Sequence, residues 1–237
     1  MIDEADNAAS KLNLGAFLKN LTENLIKEGN SRILIILAGM RPLINILRES
    51  HESSLRLFEQ FELNPLSPDE VKRIIQNGLE ESNSYSAGDR ITINGDALDQ
   101  IVYYSDCYPP FVQQIGYSVF SANTDSLITV EDVENGMYMS GGSLDIIGDK
   151  FYSYPYYNRI SADSYRQILG IMANKKGTDW LSKKEIGNEF KGKKTELTNG
   201  IKALRERDMI LSRPGVRGQY RLPWVTFSLW IKKVQNI

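Results

Sequence analysis

Residues 33–38 read Ile-Leu-Ile-Ile-Leu-Ala, an unbroken apolar run that is rich in β-branched side chains. A run of this length and composition is typical of a strand that is buried on both faces of a parallel sheet. Residues 12–26 before it and 43–49 after it carry apolar side chains at helical spacing, and residues 57–63 alternate loosely as a second strand does. Helix, strand, helix and strand in this order predict half of a doubly wound α/β sheet.

From residue 67 onwards the predicted elements are mainly helices. Ser67, Pro68 and Glu70 form a strong start signal, because serine caps a helix, proline fits its first turn and glutamate completes a capping box. The helices are predicted at 67–79, 96–105 and 111–122 and from residue 129. An all-helical bundle therefore follows the partial sheet.

The last part of the chain has the pattern of a winged helix-turn-helix. Three amphipathic helices precede two short extended stretches, and the Pro214–Gly218 segment between those stretches has the residues of a turn. The aromatic-rich stretch 151–157 is interpreted as packing at a domain junction, with stacking on bases as the alternative. The predicted domains are 1–66, 67–158 and 159–237.

Composition and the first residues exclude several classes of protein. With 41% apolar and 24% charged residues, the 237-residue chain is typical of a globular protein. Its longest apolar run is far shorter than the ~20 residues that a membrane-spanning helix needs. The acidic first residues lack the basic region of a signal peptide, and the single cysteine, Cys107, has no partner for an internal disulfide. We expect a cytoplasmic protein with no membrane partner.

Charge is distributed unevenly along the chain. Residues 1–171 have 13 Lys and Arg against 24 Asp and Glu, a net charge of −11, whereas residues 172–237 have 15 against 6, a net charge of +9. An acidic body joined to a basic C-terminal part indicates two regions with different partners.

Four short motifs occur in order along the chain. They are Ile2-Asp3-Glu4-Ala5-Asp6, Ala38-Gly39-Met40-Arg41, Leu55-Arg56-Leu57-Phe58 and Tyr108-Pro109-Pro110-Phe111-Val112-Gln113-Gln114. Together with the order of the predicted domains, this series resembles the ATPases of the AAA+ class and their STAND relatives, in particular the origin-recognition-like branch. The resemblance implies an α/β partial P-loop ATPase core, an all-α lid bundle and a C-terminal winged-helix domain, predominantly α overall.

The resemblance also implies roles for single residues. Asp3 is similar to the Walker B aspartate that holds Mg²⁺ through water, and Glu4 to the glutamate that orients the attacking water. Arg41 would stabilise charge on the γ-phosphate, and Arg56 would act as an arginine finger on a neighbouring subunit. The lid residues that would contact the nucleotide are Tyr108, Pro109 and Gln113. The alternative is that Asp3 and Glu4 only favour the helix dipole and that both arginines are solvated surface residues.

The sequence departs from the family at two places. No Gly-x-x-x-x-Gly-Lys-Ser/Thr loop occurs in it, so the backbone N–H groups and the lysine that cradle a triphosphate are missing. Gln113 and Gln114 stand where many members carry a basic residue. The chain thus resembles the C-terminal portion of an ATPase whose intact form uses ATP and Mg²⁺.

For this chain alone we expect no ATP hydrolysis and no tight binding of either cofactor. Half a sheet exposes a strand edge, for which a second copy or the missing N-terminal half of the ATPase is the expected partner.

The basic C-terminal part predicts contact with double-stranded DNA. In a winged helix, the third helix enters the major groove and the wing lies over phosphates. Polar and basic residues on or near these two elements are the candidates, namely Lys193, Lys194, Thr195, Thr198, Asn199, Lys202, Arg205, Arg213 and Arg217. The alternative is a non-enzymatic regulatory adaptor whose winged helix binds DNA or contacts protein.

Overall fold

The computed structural model describes residues 1–30, 32–39, 42–85, 88, 90–160, 162–175 and 177–237, with the side chains of 8–11 and 42 excepted. Contacts between Cα atoms divide the chain into two compact units, Met1–Asn64 and Pro65–Ile237. The finer division into three domains stays a prediction.

The first unit consists of short helices packed beside an extended segment. Its helical elements are α1 (Ala5–Leu12), α2 (Leu14–Lys27), α3 (Pro42–Ser50) and a 3₁₀ turn (Ser54–Leu57). The helix predicted at 12–26 is α2, which Asn13 separates from α1 by adopting a left-handed φ of 50°. The buried core of this unit is small and comprises Ala5, Leu14, Leu18, Leu43 and Leu47.

The expectation that residues 33–38 form a strand buried on both faces is wrong. Among the described residues, this segment is extended and pairs only through one parallel bridge, between Ile2 and Leu37. Leu34 is 81% exposed and Ile36 is 48% exposed, whereas Ile35 and Leu37 pack against the small core. One face is therefore covered and the other is open, because no further strand or helix among the described residues of this unit covers the outer side.

The second predicted strand, at 57–63, is also not formed. Leu57 ends the 3₁₀ turn, and the chain from Phe58 to Ser67 has no regular secondary structure. Phe61 and Leu63 are 79% and 96% exposed. Loose alternation of apolar residues does not produce a strand where no neighbouring strand supplies hydrogen bonds.

The second unit begins with a helical bundle over residues 65–160. Its helices are α4 (Pro68–Tyr85), α5 (Gly95–Ser105), α6 (Pro109–Ala122), α7 (Val130–Tyr138) and α8 (Ser143–Ile147), which confirms the helices predicted there. The capping box at Ser67 is present, since Glu70 accepts from the Ser67 N–H at 2.8 Å. The bundle is not all-helical, because β1 (Thr92–Ile93) pairs in parallel with β2 (Leu127–Ile128).

Two π-helical turns, Gly148–Tyr152 and Pro155–Arg159, follow α8. They contain the aromatic stretch that the sequence assigns to packing. Tyr152 and Tyr156 are buried, and the Tyr152 hydroxyl lies 2.7 Å from the Thr226 hydroxyl. Tyr154 and Tyr157 remain more than half exposed.

The C-terminal module, residues 162–237, combines helices with a small antiparallel sheet. Its elements are α9 (Asp163–Lys175), β3 (Leu181–Ser182), α10 (Lys183–Glu189), α11 (Lys194–Glu206), β4 (Leu211–Ser212), β5 (Gln219–Arg221) and α12 (Val225–Gln235). The strand order is β3-β5-β4, with Leu181 opposite Tyr220 and Ser212 opposite the same tyrosine. The predicted three helices, hairpin and final helix are all present, and β3 is an addition.

The C-terminal module shares one hydrophobic core with the bundle. Helix α12 packs against α9 of its own module and also against α5, α8 and the first π-helical turn. Trp230 is only 3% exposed, and its ring lies 5.1 Å from that of Tyr156 and 5.9 Å from that of Tyr152. Aromatic burial of this kind is a dominant source of core stability, so α12 joins the two parts of the unit. Among the described residues, no helix is both long enough and apolar enough to cross a bilayer.

The close approach of the first π-helical turn to α12 gives a testable prediction. A Cβ at Gly148 would overlap Nε1 of the buried Trp230, so Gly148→Ala must displace a large packed ring. We expect it to lower the free energy of unfolding by about 1–3 kcal/mol in denaturant melts.

Gly78→Ala, in the interior of α4, is the matched control, because a Cβ there meets no atom within 4 Å. It should raise stability by up to about 1 kcal/mol through helix propensity. Equal effects of the two substitutions would contradict the described packing of Trp230.

Candidate functional site

Asp3 and Glu4 lie directly beside the end of the extended segment 33–38. The Ile2 N–H donates to the Ile36 carbonyl at 2.8 Å, and the Ala38 N–H donates to the Ile2 carbonyl at 2.9 Å. The Ala5 N–H then reaches the Ala38 carbonyl at 2.9 Å. Two parallel segments therefore end together, and the acidic residues 3, 4 and 6, here called the acidic corner, follow the first of them.

The backbone of the acidic corner turns sharply. Glu4 has a left-handed φ of 49°, which is uncommon for a residue other than glycine and costs roughly 1 kcal/mol or more. The Glu4 N–H donates to Asp3 Oδ1 at 2.9 Å, and Glu4 Oε2 accepts from Asn7 at 3.2 Å. Both carboxylates are exposed. The turn thus presents two solvent-accessible acids at the start of α1.

The acidic corner can supply carboxylate ligands for a hard cation. Mg²⁺ commonly takes one or two protein carboxylates and completes its shell with water and substrate phosphates. The exposed Asp3 fits such a role. Within the described part of the chain, no group of three or more His, Cys, Asp or Glu side chains is placed to hold a metal ion by itself.

The structure describes only one of the two predicted catalytic arginines. Arg41 lies outside the described residues, and with it the end of the second motif. Arg56 is exposed in the 3₁₀ turn Ser54–Leu57. Its proposed action on a neighbouring subunit stays a prediction.

The residues predicted to contact nucleotide from the lid lie in the second unit, at the start of α6. Pro109 and Gln113 are exposed, but the Tyr108 ring stacks on Trp224 at 5.1 Å and is half-buried. The ring of Tyr108 is therefore engaged in packing against the C-terminal module, which leaves Pro109 and Gln113 as the accessible members of this set.

The turn before α6 holds two consecutive residues in the left-handed region. Asp106 and Cys107 have φ values of 47° and 55°. Such conformations persist only where the surrounding structure stabilises them, and they concentrate at functional sites. Here the Leu66 N–H donates to the Cys107 carbonyl at 2.9 Å, and partial burial raises the pKa of the Cys107 thiol, which keeps the thiol protonated.

Asp106 connects this turn to α12. Its Oδ2 accepts the N–H of Val225, the first residue of α12, at 2.6 Å. Partial burial raises the pKa of the Asp106 carboxyl to about 6, although the Val225 N–H and the nearby Arg221 guanidinium both favour the carboxylate. The sequence contains no signal for this contact, because its two partners are far apart in the chain.

The polar and basic candidates on α11 share one exposed helix face. Lys194, Thr195, Thr198, Asn199, Lys202 and Arg205 are all exposed, whereas Leu197, Gly200, Ile201 and Leu204 face the core. Lys202 lies 3.8 Å from Glu206, and the Thr198 hydroxyl donates to the Lys194 carbonyl at 2.8 Å. We call this set, with the adjoining Lys193, the basic face.

The arginines in and beside the wing differ in the contacts that their side chains make. Arg213 lies over the Trp180 ring at 5.9 Å and donates to Gln219 Oε1 at 2.8 Å, so its side chain is held against the sheet. Arg221 lies over the same ring at 5.2 Å. Arg217 is exposed in the turn between β4 and β5. Arg213 and Arg217 are therefore both exposed, and Arg213 is in addition held by contacts within the sheet.

Lys183 adjoins the basic face, although its position in the sequence does not indicate this. Its ammonium donates to the Thr198 hydroxyl at 2.7 Å, and its backbone N–H donates to the Gly218 carbonyl at 2.8 Å. Lys183 thus lies between α11 and the turn that carries Arg217. The capping box at Ser182, which starts α10, positions it.

Comparison with known proteins identifies a similar fold but no close relative. No protein-family model matches the sequence, and no curated protein matches it significantly. The structure is similar to that of the Walker-type ATPase PaBY2304 of Pyrococcus abyssi, with a TM-score of 0.53 and 14% sequence identity. The similarity covers 84% of this chain and 52% of the other, so this chain spans about half the length of that ATPase. At this identity the likeness shows a Walker-type ATPase-like fold alone.

The environment of Asp106 predicts a pH dependence of stability. An acid whose pKa is higher in the folded than in the unfolded protein stabilises the fold while it is protonated. Its contribution is complete below pH 3.8 and is lost as the pH rises through about 6. Asp106→Asn keeps an acceptor for the Val225 N–H without the charge, and should raise the free energy of unfolding at pH 7–8 by up to about 3 kcal/mol.

Asp208→Asn is the matched control, because Asp208 also has a left-handed φ, of 56°, but is exposed. It should leave stability nearly unchanged in urea melts at both ends of the pH range. The assignment would be contradicted if the free energy of unfolding of the wild type rose between pH 4 and 6 and Asp106→Asn abolished that rise.

Proposed function

We propose that this chain is the C-terminal portion of an ATP-binding ATPase of the AAA+/STAND type, and that its C-terminal module binds double-stranded DNA as a winged helix. The observation that carries the proposal is the basic face on an exposed α11, next to a two-stranded wing, in a chain whose fold is similar to that of a Walker-type ATPase. Arginine and lysine on such a face neutralise phosphates, and polar side chains read base edges.

The arrangement of the module supports a groove-binding role for α11. Its buried residues pack on α9 and leave the opposite side, with Thr195 and Asn199, open to solvent. Lys183 and Arg217 flank that side, and both are suited to phosphates on either side of a groove. Arg213 is also exposed, and its contacts with Trp180 and Gln219 fix the direction of its side chain.

The acidic corner supports the ATPase part of the proposal. In the intact enzyme Asp3 would hold Mg²⁺ and Glu4 would orient the attacking water, since phosphoryl transfer depends on positioning and charge neutralisation. In the bundle, Pro109 and Gln113 are the accessible candidates for contact with a nucleotide. ATP-dependent switching of the C-terminal module is the proposed activity of the intact parent.

The open side of segment 33–37 supports a proposal about partners. Its exposed apolar residues, and a backbone edge that pairs with no strand among the described residues, are suited to a further strand. We propose that an N-terminal half of the ATPase core supplies that strand, with self-association of this chain as the alternative.

DNA binding is tested by a salt titration of the whole chain with a short duplex. Neutralising about six phosphates gives a log–log slope near −5 between affinity and salt concentration. The double variant Lys202→Ala/Arg205→Ala should weaken binding and reduce the slope by about two, because each phosphate contact contributes about one. Fluorescence anisotropy at several salt concentrations measures both quantities.

Arg73→Ala, on the exposed side of α4 in the bundle, is the control and should leave affinity and slope unchanged. Undetectable binding of the wild-type chain even at low salt would overturn the DNA proposal. It would favour a protein-contacting regulatory adaptor in its place.

Nucleotide binding is tested by calorimetry with ATP and Mg²⁺. Because the sequence has no phosphate-cradling loop, we expect millimolar affinity at best and no measurable turnover. Asp3→Asn should then leave the titration unchanged. Micromolar affinity of the wild-type chain would contradict the expectation.

A further inference from the structure

A cleft of about 400 Å³ lies between α6 and the first π-helical turn, wholly inside the second unit. One wall is a face of α6 that presents Gln113, Gln114 and Tyr117, and the opposite wall presents Lys150 and Phe151. Its volume falls within the range of about 300–1,000 Å³ that is usual for small-molecule sites.

The backbone of the second wall is unusual. Gly148–Tyr152 is π-helical, and π-helical turns are rare and often occur at functional sites. The close approach of Gly148 to Trp230 holds this turn against α12, while the next residues point toward α6. The turn therefore has a fixed position, and the side chains of Lys150 and Phe151 complete the cleft.

Lys150 is the charged member of the cleft. Its ammonium donates to Gln114 Oε1 at 3.4 Å, which uses one of its three donors. No salt bridge to Lys150 occurs within the residues that the structure describes, and its neighbour Asp149 accepts from the Ser153 hydroxyl. An exposed ammonium that contacts the carboxamide of Gln114 and no carboxylate of the described residues is suited to an anionic ligand.

The remaining side chains are suited to a planar, hydrogen-bonding group. Phe151 is 39% exposed and Tyr117 is 68% exposed, so both rings offer surface to a ligand. The carboxamide of Gln113 is solvent-facing and has both donors and an acceptor, which is the complement of a nucleobase edge. Bases stack on aromatic rings with about 1–3 kcal/mol per base.

We propose that this cleft binds a nucleoside phosphate, with the base against Phe151 and Tyr117 and the phosphate on Lys150. The inference rests on the proposed nucleotide-binding function and names the site and the cation within the bundle. Lys150 thereby supplies the positive charge that Gln113 and Gln114 do not, although it lies on a different element from theirs.

The test is a nuclear magnetic resonance titration of the ¹⁵N-labelled whole chain with AMP, with adenosine and with inorganic phosphate. AMP should shift amide signals of residues 113–117 and 148–151. Its affinity should exceed that of adenosine by roughly three- to ten-fold, as expected for one solvent-accessible charged contact. Lys150→Gln should remove this difference while leaving adenosine binding intact, and Lys150→Arg should retain it.

Lys184→Gln, an exposed lysine of α10, is the matched control and should behave as wild type. Equal affinities of the wild type for AMP and adenosine, or no shifts at 113–117 and 148–151, would overturn the cleft. If AMP instead shifts only residues 1–7 and 36–39, the cleft is overturned while the nucleotide-binding proposal stands. If inorganic phosphate alone gave the same shifts as AMP, the proposed contact of the base with Phe151 and Tyr117 would also be overturned.

Discussion

The packing of α12 against the aromatic side chains of the bundle is the interaction on which the architecture of residues 65–237 depends. Trp230 is enclosed by Tyr152, Tyr156 and Phe227, and the Tyr152 hydroxyl pairs with Thr226 inside the same core. Because α12 belongs to the C-terminal module and packs on α5 and α8 of the bundle, the module that bears the basic face is fixed on the bundle. The Asp106 carboxyl accepts the N–H of Val225 and so connects the turn before α6 to the start of α12.

Sequence reasoning succeeded where the determinants are local. The capping box at Ser67 is encoded by neighbouring residues, and helix α4 begins where that signal predicts. The burial of segment 33–38 was predicted wrongly, because burial depends on which other strands and helices are present. A β-branched run indicates a preference for strand conformation. Whether that strand is buried depends on the other strands and helices that pack against it.

The residues of the candidate sites also divide into those that the sequence indicates and those that it does not. The structure brings Asp3 and Glu4 to the end of segment 33–38 through backbone hydrogen bonds of Ile2 and Ala5. Asp106, Lys150 and Lys183 escaped prediction because each acts with a partner from a distant part of the chain. Tyr108 and Arg213 were assigned to ligands from their positions, but their side chains also serve packing, against Trp224 and Trp180 respectively.

Native-state hydrogen exchange of the whole chain tests most directly whether residues 65–237 form one cooperative body. A shared aromatic core predicts that the slowest amides of α5, α6 and α12 open with the same free energy and respond equally to denaturant. The Gly148→Ala substitution should lower all three together. Exchange of α12 through a separate opening of much lower free energy, with α5 and α6 still protected, would show that the C-terminal module is only docked on the bundle and would contradict the shared core.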